Sequence, residues 1–291
     1  MTASDVSLGS AGVERLQRLK ASGEKIVMVT AYDTEAARLA EQADVDLVLV
    51  GDSAAMTIYG YSSTSELDIE ELLPLTAAVA RGLKETLLVG DLPYGTYEIS
   101  DEQAVATARR FVSEGGAGAI KLERGVPSCV ERARAIVAAG IPVMGHVGLT
   151  PQSVDEADGF KARGRTIPDA LDVAAQALAL QEAGCFAIVF EAIPAVLAEA
   201  LMPRMRIPVI GIGAGGSTDG QLLIWHDLLG LSTGHAPRFV KQYGNLREAS
   251  LRALNEFSLD VRSAAFPAEE HAYTFPEEET DALLSQLQAF G

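Results

Sequence analysis

The sequence predicts an α/β protein, a single-domain (β/α)8 barrel with an N-terminal helix and an acidic C-terminal tail. Short apolar runs rich in β-branched residues alternate with longer segments of helical periodicity, which is the pattern of parallel β/α units. The runs are continuously apolar rather than alternating, as expected for strands buried on both faces. The chain has 291 residues, a common length for one such barrel.

Eight candidate strands follow one another along the chain, and eight parallel units predict closure into a barrel. The last of them has the weakest pattern. In order, the candidates are KIVMVTAYD from Lys25, DLVLVGDS from Asp46, TLLVGDLP from Thr86, AIKLE from Ala119, PVMGHVGL from Pro142, AIVFEAIP from Ala187, PVIGIGAG from Pro208 and PRFVKQY from Pro237.

The segments between the candidate strands predict the outer helices. EAARLAEQA, DEQAVATARRFVSEG, PSCVERARAIVAAG and ALDVAAQALALQEAG are rich in Ala, Leu and Glu, and most end in glycine, a usual helix stop. The amphipathic stretch VERLQRLKASG near Val13 predicts a helix that covers the floor, the end of the barrel where the strands begin. We therefore expect a helical segment at 1–24, the catalytic barrel at 25–263 and a tail at 264–291.

Composition and charge exclude several classes of protein. Apolar residues make up 48% and charged residues 22% of the chain, as in globular proteins. The 23 basic and 40 acidic residues give a net charge of −17, which disfavours nucleic acid and anionic membranes as partners. The amino end lacks a secretion signal and no run is long enough to span a membrane, so we expect a cytoplasmic protein. Cys129 and Cys185 stand far apart and are expected to be buried hydrophobes.

The residues that close the apolar runs are unusually acidic. In such a barrel the carboxyl ends of the strands form the active-site face, here called the mouth. Carboxylates brought together there repel one another unless a cation lies among them. Because the candidates are oxygen ligands, Mg²⁺ fits better than zinc, with Asp52, Asp91 and Glu123 as candidate ligands. The strand-end residues are Asp33, Asp52 with Ser53, Asp91, Lys121 with Glu123, His146 and Glu191.

Each of these residues also has a structural interpretation. Asp33 opens a helix and is as well explained by capping, so it is left out of the site. Lys121 and Glu123 project from the same side of a strand, where they either serve a site or form an internal ion pair. Glu191 is either a general base or a buried hydrogen-bonded carboxylate. His146 either contacts a substrate oxygen or satisfies backbone groups in the core.

The motifs that contain these residues resemble the ketopantoate hydroxymethyltransferase family. The likeness runs from about Ile26 to Tyr273 and preserves the order and spacing of the family's motifs. GIGAG alone is generic, whereas GHVGLTPQSV together with VGDS and DLPYG is highly specific. Other matching motifs are TAYD, AIKLE, AIVFEAIP and RFVKQY.

The resemblance implies a fold and a reaction. It implies a TIM barrel, commonly assembled as a homodecamer of two pentameric rings, that requires Mg²⁺. The enzyme would transfer a hydroxymethyl group from 5,10-methylenetetrahydrofolate to 3-methyl-2-oxobutanoate. The product would be ketopantoate, on the route to pantothenate and coenzyme A.

The resemblance also implies a role for each candidate residue. Glu191 would be the general base that removes the C3 proton of the Mg²⁺-chelated 2-oxo acid, and the resulting enolate would attack the one-carbon unit. The residues around Mg²⁺ and its waters would be Asp52, Asp91 and Glu123. The residues that contact the 2-oxo acid would be Asp52, Ser53, Asp91, Lys121 and His146.

Three departures from the family pattern lie near these residues. GDSLGM is replaced by GDSAAM, so Ala54 and Ala55 stand where the family has Leu and Gly. The family loop Y-D-[ST]-T-L-P-V-T reads YSSTSELD, and KLEGG reads KLERG with Arg124. None of these changes removes a proposed catalytic group. They bear on the size of the substrate's alkyl group and on the folate contacts.

Two other functions remain open at this point. One is a related Mg²⁺-dependent C–C lyase or ligase of the phosphoenolpyruvate mutase and isocitrate lyase type, against which the absence of their KKCGH-like motif counts. The other is a catalytically silent paralogue that binds a 2-oxo acid. The intact Lys121, Glu123 and Glu191 count against that second alternative.

Overall fold

A computed structural model describes residues 3–153, 161–233 and 237–290. Eight parallel strands close into a barrel in sequence order, and the last strand pairs with the first. This architecture confirms the (β/α)8 prediction. The strands are β1 Ile26–Thr30, β2 Leu47–Val50, β3 Leu87–Asp91, β4 Ala119–Lys121, β5 Val143–Gly148, β6 Ala187–Glu191, β7 Val209–Ile212 and β8 Gly220–Leu223.

The eighth strand is not where the sequence predicted it. The predicted segment, PRFVKQY at 237–243, contains no strand, and β8 is formed earlier by GQLL. β8 begins with Gly220 opposite Ile26 of β1. A Cβ atom at Gly220 would lie 2.4 Å from the carbonyl oxygen of Ile26, so this close approach requires glycine. The prediction was wrong because Gly and Gln carry little β signal, whereas the Phe-Val pair in 237–243 carries much.

Helices follow most strands, and the segments predicted as outer helices are helical. Asp33 caps the second helix by accepting the Ala36 N–H at 2.7 Å, which confirms its capping interpretation. The helices are α1 Ala3–Ser22, α2 Thr34–Gln42, α3 Ile69–Ala80, α4 Asp101–Ser113, α5 Pro127–Ala138, α6 Ile167–Glu182, α7 Ala195–Leu201, α8 Trp225–Leu228, α9 Leu246–Arg262 and α10 Glu277–Leu287.

The chain divides into two compact units, 1–243 and 244–291. The first contains the barrel, and the second contains α9 and α10. The domain boundaries expected from the sequence stay a prediction. Among the described residues, no helix has the length and apolar character needed to cross a membrane.

Helix α1 covers the floor of the barrel, as predicted. Its Leu16 is fully buried among the apolar side chains of the barrel interior. Two cations of α1 pair with carboxylates at this end: Arg15 Nη2 lies 2.7 Å from Asp46, and Lys20 Nζ lies 2.7 Å from Asp219. These contacts attach the helix to strands that are distant in sequence.

Apolar side chains pack in two clusters, one inside the barrel and one between the strands and helices. The inner cluster takes alternate residues of the strands, such as Met28, Leu47 and Val89, because successive side chains point to opposite faces. Cys129 and Cys185 are free and buried, as expected. The apolar interior leaves polar chemistry to the ends of the barrel.

Candidate active site

The interior rows of four neighbouring strands end in ionisable side chains. The residue two positions after an interior apolar residue also faces inward, so each row continues to the mouth. The rows of β3, β4, β5 and β6 continue through Asp91, Lys121, His146 and Glu191. All but Glu191 are almost completely buried. The strand pairing therefore brings together at the mouth residues that are far apart in sequence.

Lys121 is the cation at the centre of the site. Its Nζ atom lies 2.7 Å from each carboxylate oxygen of Asp91 and 3.6 Å from Oε1 of Glu123. Burial alone would lower the pKa of Lys121, but the charges of Asp91, Glu123 and Asp52 outweigh burial and raise it. The internal ion pair considered for Lys121 and Glu123 is thus present. It lies inside the cluster of candidate site residues rather than apart from it.

Asp52 brings a further carboxyl group, for which the described residues provide no ion-pair partner. Its backbone N–H donates to Oδ2 of Asp91 at 3.1 Å. Its own Oδ2 atom is buried and has no hydrogen-bond partner within the described structure. Burial and the negative charges of Asp91 and Glu123 raise the pKa of Asp52 well above its ordinary value. An unpartnered buried carboxylate oxygen is costly, which indicates that a ligand belongs beside it.

His146 lies between two carboxylates. Its Nδ1 is 3.1 Å from Oε1 of Glu123, and its Nε2 is 3.2 Å from Oε2 of Glu191, although the second contact is not aligned as a hydrogen bond. Burial and Lys121 disfavour the charged imidazole, but Glu123 and Glu191 outweigh them and raise the pKa of His146 to about 9. The ring therefore links the Lys121 cluster to Glu191.

Glu191 is the more accessible carboxylate of the pair that flanks His146. Its side chain is 16% exposed, against 1% for that of Glu123. The backbone around it is closely packed: the Leu149 N–H donates to the Glu191 carbonyl at 2.9 Å, and a Cβ atom at Gly148 would lie 2.2 Å from that oxygen. Ala192, the next residue, has a left-handed φ of 47°. Packing and an unusual backbone conformation thus hold Glu191 at the edge of the mouth.

The side chains at the mouth suit Mg²⁺, which keeps waters and substrate oxygens among its ligands, better than they suit a metal ion coordinated by protein side chains alone. Among the described residues, no group of three or more His, Cys, Asp or Glu side chains is arranged to hold a metal ion. Asp91 and Glu123 face Lys121 instead. Asp52 still offers an oxygen that is free of contacts from the described residues, next to Asp91. Mg²⁺ is commonly held by one or two carboxylates with waters and substrate oxygens, which suits this partial set.

A sequence profile of ketopantoate hydroxymethyltransferase matches residues 11–269. The chain belongs to that family. A Moorella thermoacetica protein named 3-methyl-2-oxobutanoate hydroxymethyltransferase is 49% identical over 259 residues, which cover 89% of this chain and 96% of the relative. A relative of the same name from Chloroflexus aurantiacus is 46% identical over 278 residues and 95% and 98% of the two chains. These matches confirm the resemblance and the class of enzyme, a hydroxymethyltransferase.

A plant relative and the solved structures extend the comparison. The mitochondrial 3-methyl-2-oxobutanoate hydroxymethyltransferase 2 of rice is 48% identical over 274 residues, 92% of this chain and 69% of its own length. Phosphonopyruvate hydrolase, solved with oxalate and Mg²⁺, superposes with a TM-score of 0.58 at 16% identity, over 96% of this chain and 97% of that one. 2,3-Dimethylmalate lyase superposes with a TM-score of 0.56 at 15% sequence identity, over 96% of this chain and 98% of that one. At such low identity the structural likeness shows a shared fold alone.

The structure adds polar residues that the sequence analysis of this hydroxymethyltransferase missed. Gln152 donates its backbone N–H to Oε2 of Glu123 at 3.1 Å. The Tyr97 hydroxyl lies 3.3 Å from both the Glu123 backbone nitrogen and Oε1 of Gln152. Tyr32 contacts Ser53, with the two hydroxyl oxygens 2.7 Å apart. Tyr32 and Gln152 lie in the quoted motifs TAYD and GHVGLTPQSV, and Tyr97 lies two residues after DLPYG. None of the three closes an apolar run, so the strand-end rule did not select them.

The departures from the hydroxymethyltransferase pattern occupy well-defined places. Ala54 and Ala55 are fully buried, and Ala55 begins a π-helical turn that runs to Tyr59. Asp68, the last residue of YSSTSELD, caps α3. Arg124 has an exposed side chain and a left-handed φ of 70°, in a position where the family has glycine. Nothing in the structure explains the choice of arginine there.

Proposed function

We propose that this enzyme transfers a hydroxymethyl group from 5,10-methylenetetrahydrofolate to 3-methyl-2-oxobutanoate and so forms ketopantoate for pantothenate and coenzyme A biosynthesis. The observation that carries the proposal is the arrangement of Glu191. This partly exposed carboxylate lies 3.2 Å from His146, next to buried carboxylates and Lys121. The names of the relatives support the choice of substrate. The cytoplasmic location and the decamer expected from the sequence stay predictions.

Substrate binding at this mouth requires donors, because a 2-oxo acid is an anion that carries only acceptor oxygens. The ammonium group of Lys121 and the hydroxyl of the half-buried Ser53 supply them. His146, held charged by its carboxylate neighbours, adds a further positive group beside the substrate. These donors lie on three different strand ends and would hold the carboxylate and 2-oxo groups in one orientation.

The carboxylates have a separate task. Asp52 and Asp91, with Glu123 beside them, would hold Mg²⁺, which when bound supplies positive charge next to the substrate's 2-oxo oxygen. Lys121 keeps Asp91 and Glu123 in place through contacts of 2.7 and 3.6 Å. Asp52 contributes an oxygen that no donor contacts in the described part of the chain. A bound Mg²⁺ would explain why the mouth contains more carboxylates than cationic side chains.

Proton transfer falls to Glu191. Its carboxylate accepts the C3 proton, so the C3–H bond breaks as an O–H bond to Glu191 forms. The electron pair left on C3 then forms the new C–C bond to the one-carbon unit, whose two C–N bonds to the folate break. Water supplies the hydroxyl oxygen of the product, and tetrahydrofolate leaves with both nitrogens protonated, one by the proton taken from C3 and one by a proton of that water. His146 holds the Glu191 carboxylate from one side, at 3.2 Å. A base at the open side of the mouth can reach the substrate without leaving the barrel.

Proton exchange followed by group transfer tests the proposal. Purified protein is incubated with 3-methyl-2-oxobutanoate in D₂O, with and without Mg²⁺, while NMR follows the C3 proton; methylenetetrahydrofolate is then added. We expect Mg²⁺-dependent loss of the C3 proton and then ketopantoate. Folded, Mg²⁺-loaded protein that catalyses no exchange would contradict the assignment. Exchange without transfer would contradict the folate part alone.

A further inference from the structure

Tyr32 and Ser53 form a hydroxyl pair at the ends of two adjacent strands. Tyr32 lies just beyond β1 and Ser53 just beyond β2, and these strands are parallel neighbours in the barrel. The two hydroxyl oxygens are 2.7 Å apart. Tyr32 is only 3% exposed, whereas Ser53 is half-buried and lies next to Asp52. One member of the pair is therefore enclosed and the other borders the mouth.

The surroundings fix both members of the pair. The ring of Tyr32 packs in the core and lies against His226, with ring centroids 5.6 Å apart. The backbone carbonyl of Ser53 accepts a hydrogen bond from the Thr57 hydroxyl at 2.8 Å. The position of the Ser53 backbone is thus set without Tyr32, and what Tyr32 adds is a contact to the serine hydroxyl.

The chemistry of the substrate decides the direction of this hydrogen bond. Each hydroxyl has one hydrogen to donate and lone pairs to accept with. A 2-oxo acid presents only acceptor oxygens, so Ser53 must donate its hydrogen to the substrate. The bond between the two residues is then satisfied only if Tyr32 donates to Ser53.

We infer that Tyr32 is a positioning residue that donates to the Ser53 hydroxyl and thereby directs the hydrogen of Ser53 toward the 2-oxo acid. The inference rests on the proposed function. Tyr32 does not touch the substrate; it acts through Ser53. Without the Tyr32 hydroxyl, Ser53 is free to rotate, and part of the contact to the substrate is lost.

A double-mutant cycle tests the inference. Binding of 3-methyl-2-oxobutanoate in the presence of Mg²⁺ is measured by calorimetry for the wild type, Tyr32→Phe, Ser53→Ala and the double variant. We expect Tyr32→Phe to raise the Kd about fivefold, the effect of one hydrogen bond. In the Ser53→Ala background the same change should have no effect. In Tyr32→Phe, the exchange rate of the C3 proton at saturating substrate should differ from the wild-type rate by less than about twofold, since Glu191 is unchanged.

Other outcomes separate this inference from the proposed function. Equal effects of Tyr32→Phe with and without Ser53, or no effect in either background, would overturn the positioning role. A wild-type protein that neither binds nor exchanges 3-methyl-2-oxobutanoate would overturn the proposed function and the inference with it. Tyr243→Phe, which removes an exposed tyrosine hydroxyl, is the control and should bind as the wild type does. Thermal unfolding verifies that each variant is folded.

Discussion

The floor and the mouth of the barrel both bury carboxylates, but they satisfy them differently. At the floor, Asp46 accepts from Arg15 at 2.7 Å and from the Val27 backbone N–H at 2.8 Å. Asp219 likewise pairs with Lys20 at 2.7 Å and accepts a backbone N–H of β7 at 2.8 Å. Asp46 and Asp219 are thus each satisfied by one cation and one backbone donor.

At the mouth, by contrast, Lys121 contacts two carboxylates, and a third, that of Asp52, lies close enough for its charge to act on Lys121. The cation lies against Asp91 and Glu123, and an oxygen of Asp52 has no partner among the residues that the structure describes. Charged groups that are fully paired hold the fold together, whereas unpaired ones reduce stability and persist where function needs them. The same residue type is therefore fully paired at one end of the barrel, and at the other end we propose that it serves ligand binding.

The mouth and the floor should differ most in how a substitution at each end changes the rate of C3-proton exchange. Glu191→Gln should slow C3-proton exchange by about a thousandfold, because the amide cannot accept the proton. Asp46→Asn at the floor should exchange at the wild-type rate. Both rates are read by NMR in D₂O with Mg²⁺ and saturating 3-methyl-2-oxobutanoate. Retained exchange in Glu191→Gln would remove this residue as the base.

The titration of two histidines tests the charge interactions at the mouth. In metal-free protein, NMR of the ring nitrogens should show His146 titrating near pH 9, while His226 titrates below its ordinary 6.5 because burial outweighs Asp227 and Asp33. His146 therefore stabilises the fold below pH 6.5, and this contribution is lost as the pH rises toward 9. His226 has the opposite sign and destabilises the fold as the pH falls below 6.5.

Assignment of the two signals uses His146→Asn, which should remove the high-pH titration and leave the other unchanged. A His146 that titrates below pH 6.5 would mean that burial and Lys121 outweigh Glu123 and Glu191. The linkage described for the mouth would then be wrong.

One substitution made at both ends should have opposite effects on stability. Asp46→Asn should lower the free energy of unfolding by about 1 kcal/mol, because a charged hydrogen bond to Arg15 is lost. Asp52→Asn, in metal-free protein, should raise it by about 1 kcal/mol, because an unpartnered buried carboxylate and its repulsion with Asp91 are removed. Urea unfolding at pH 7 measures both. If both substitutions changed the free energy of unfolding in the same direction, the difference inferred between the floor and mouth carboxylates would be wrong.

The pH dependence of the stability gained in Asp52→Asn provides a control. Because the pKa of Asp52 is raised in the folded state, its ionisation costs stability as the pH rises above the ordinary value of 3.8. The gain from Asp52→Asn should therefore be larger at pH 8 than at pH 4. A gain independent of pH would point to packing rather than charge.

The smallest expected effect concerns Arg124. Its left-handed φ of 70° is disfavoured for a residue with a Cβ atom, whereas glycine adopts it freely. Arg124→Gly should therefore stabilise the protein by less than about 1 kcal/mol, since the greater freedom of unfolded glycine offsets part of the gain. Thermal unfolding at pH 7 measures the change. A clear loss of stability would show that the arginine side chain makes a stabilising contact.

Most of the barrel could be predicted from local sequence patterns. Seven strands are continuous apolar runs with clear ends, and the side chains that close them are placed at the mouth by the barrel rule alone. The eighth strand was missed because Gly220 is chosen for a close approach to β1, which depends on tertiary contact and not on β propensity.

The supporting residues of the site could not be predicted in the same way. Tyr32 and Tyr97 lie in loops and Gln152 lies in a short 3-10 helix, and their partners are 21, 26 and 29 residues away in the chain. Only the folded backbone brings these polar atoms together. The balance of charge at the mouth likewise depends on how many carboxylates share Lys121, which no spacing in the sequence specifies.

We propose that the unpaired carboxylates at the mouth receive a cation, and thermal unfolding with and without Mg²⁺ is the measurement that decides it. Mg²⁺ at about a hundred times its Kd should stabilise the wild type and Asp46→Asn alike, by roughly 2–3 kcal/mol. Asp52→Asn should gain little. Equal stabilisation of Asp46→Asn and Asp52→Asn, or none in the wild type, would contradict the account.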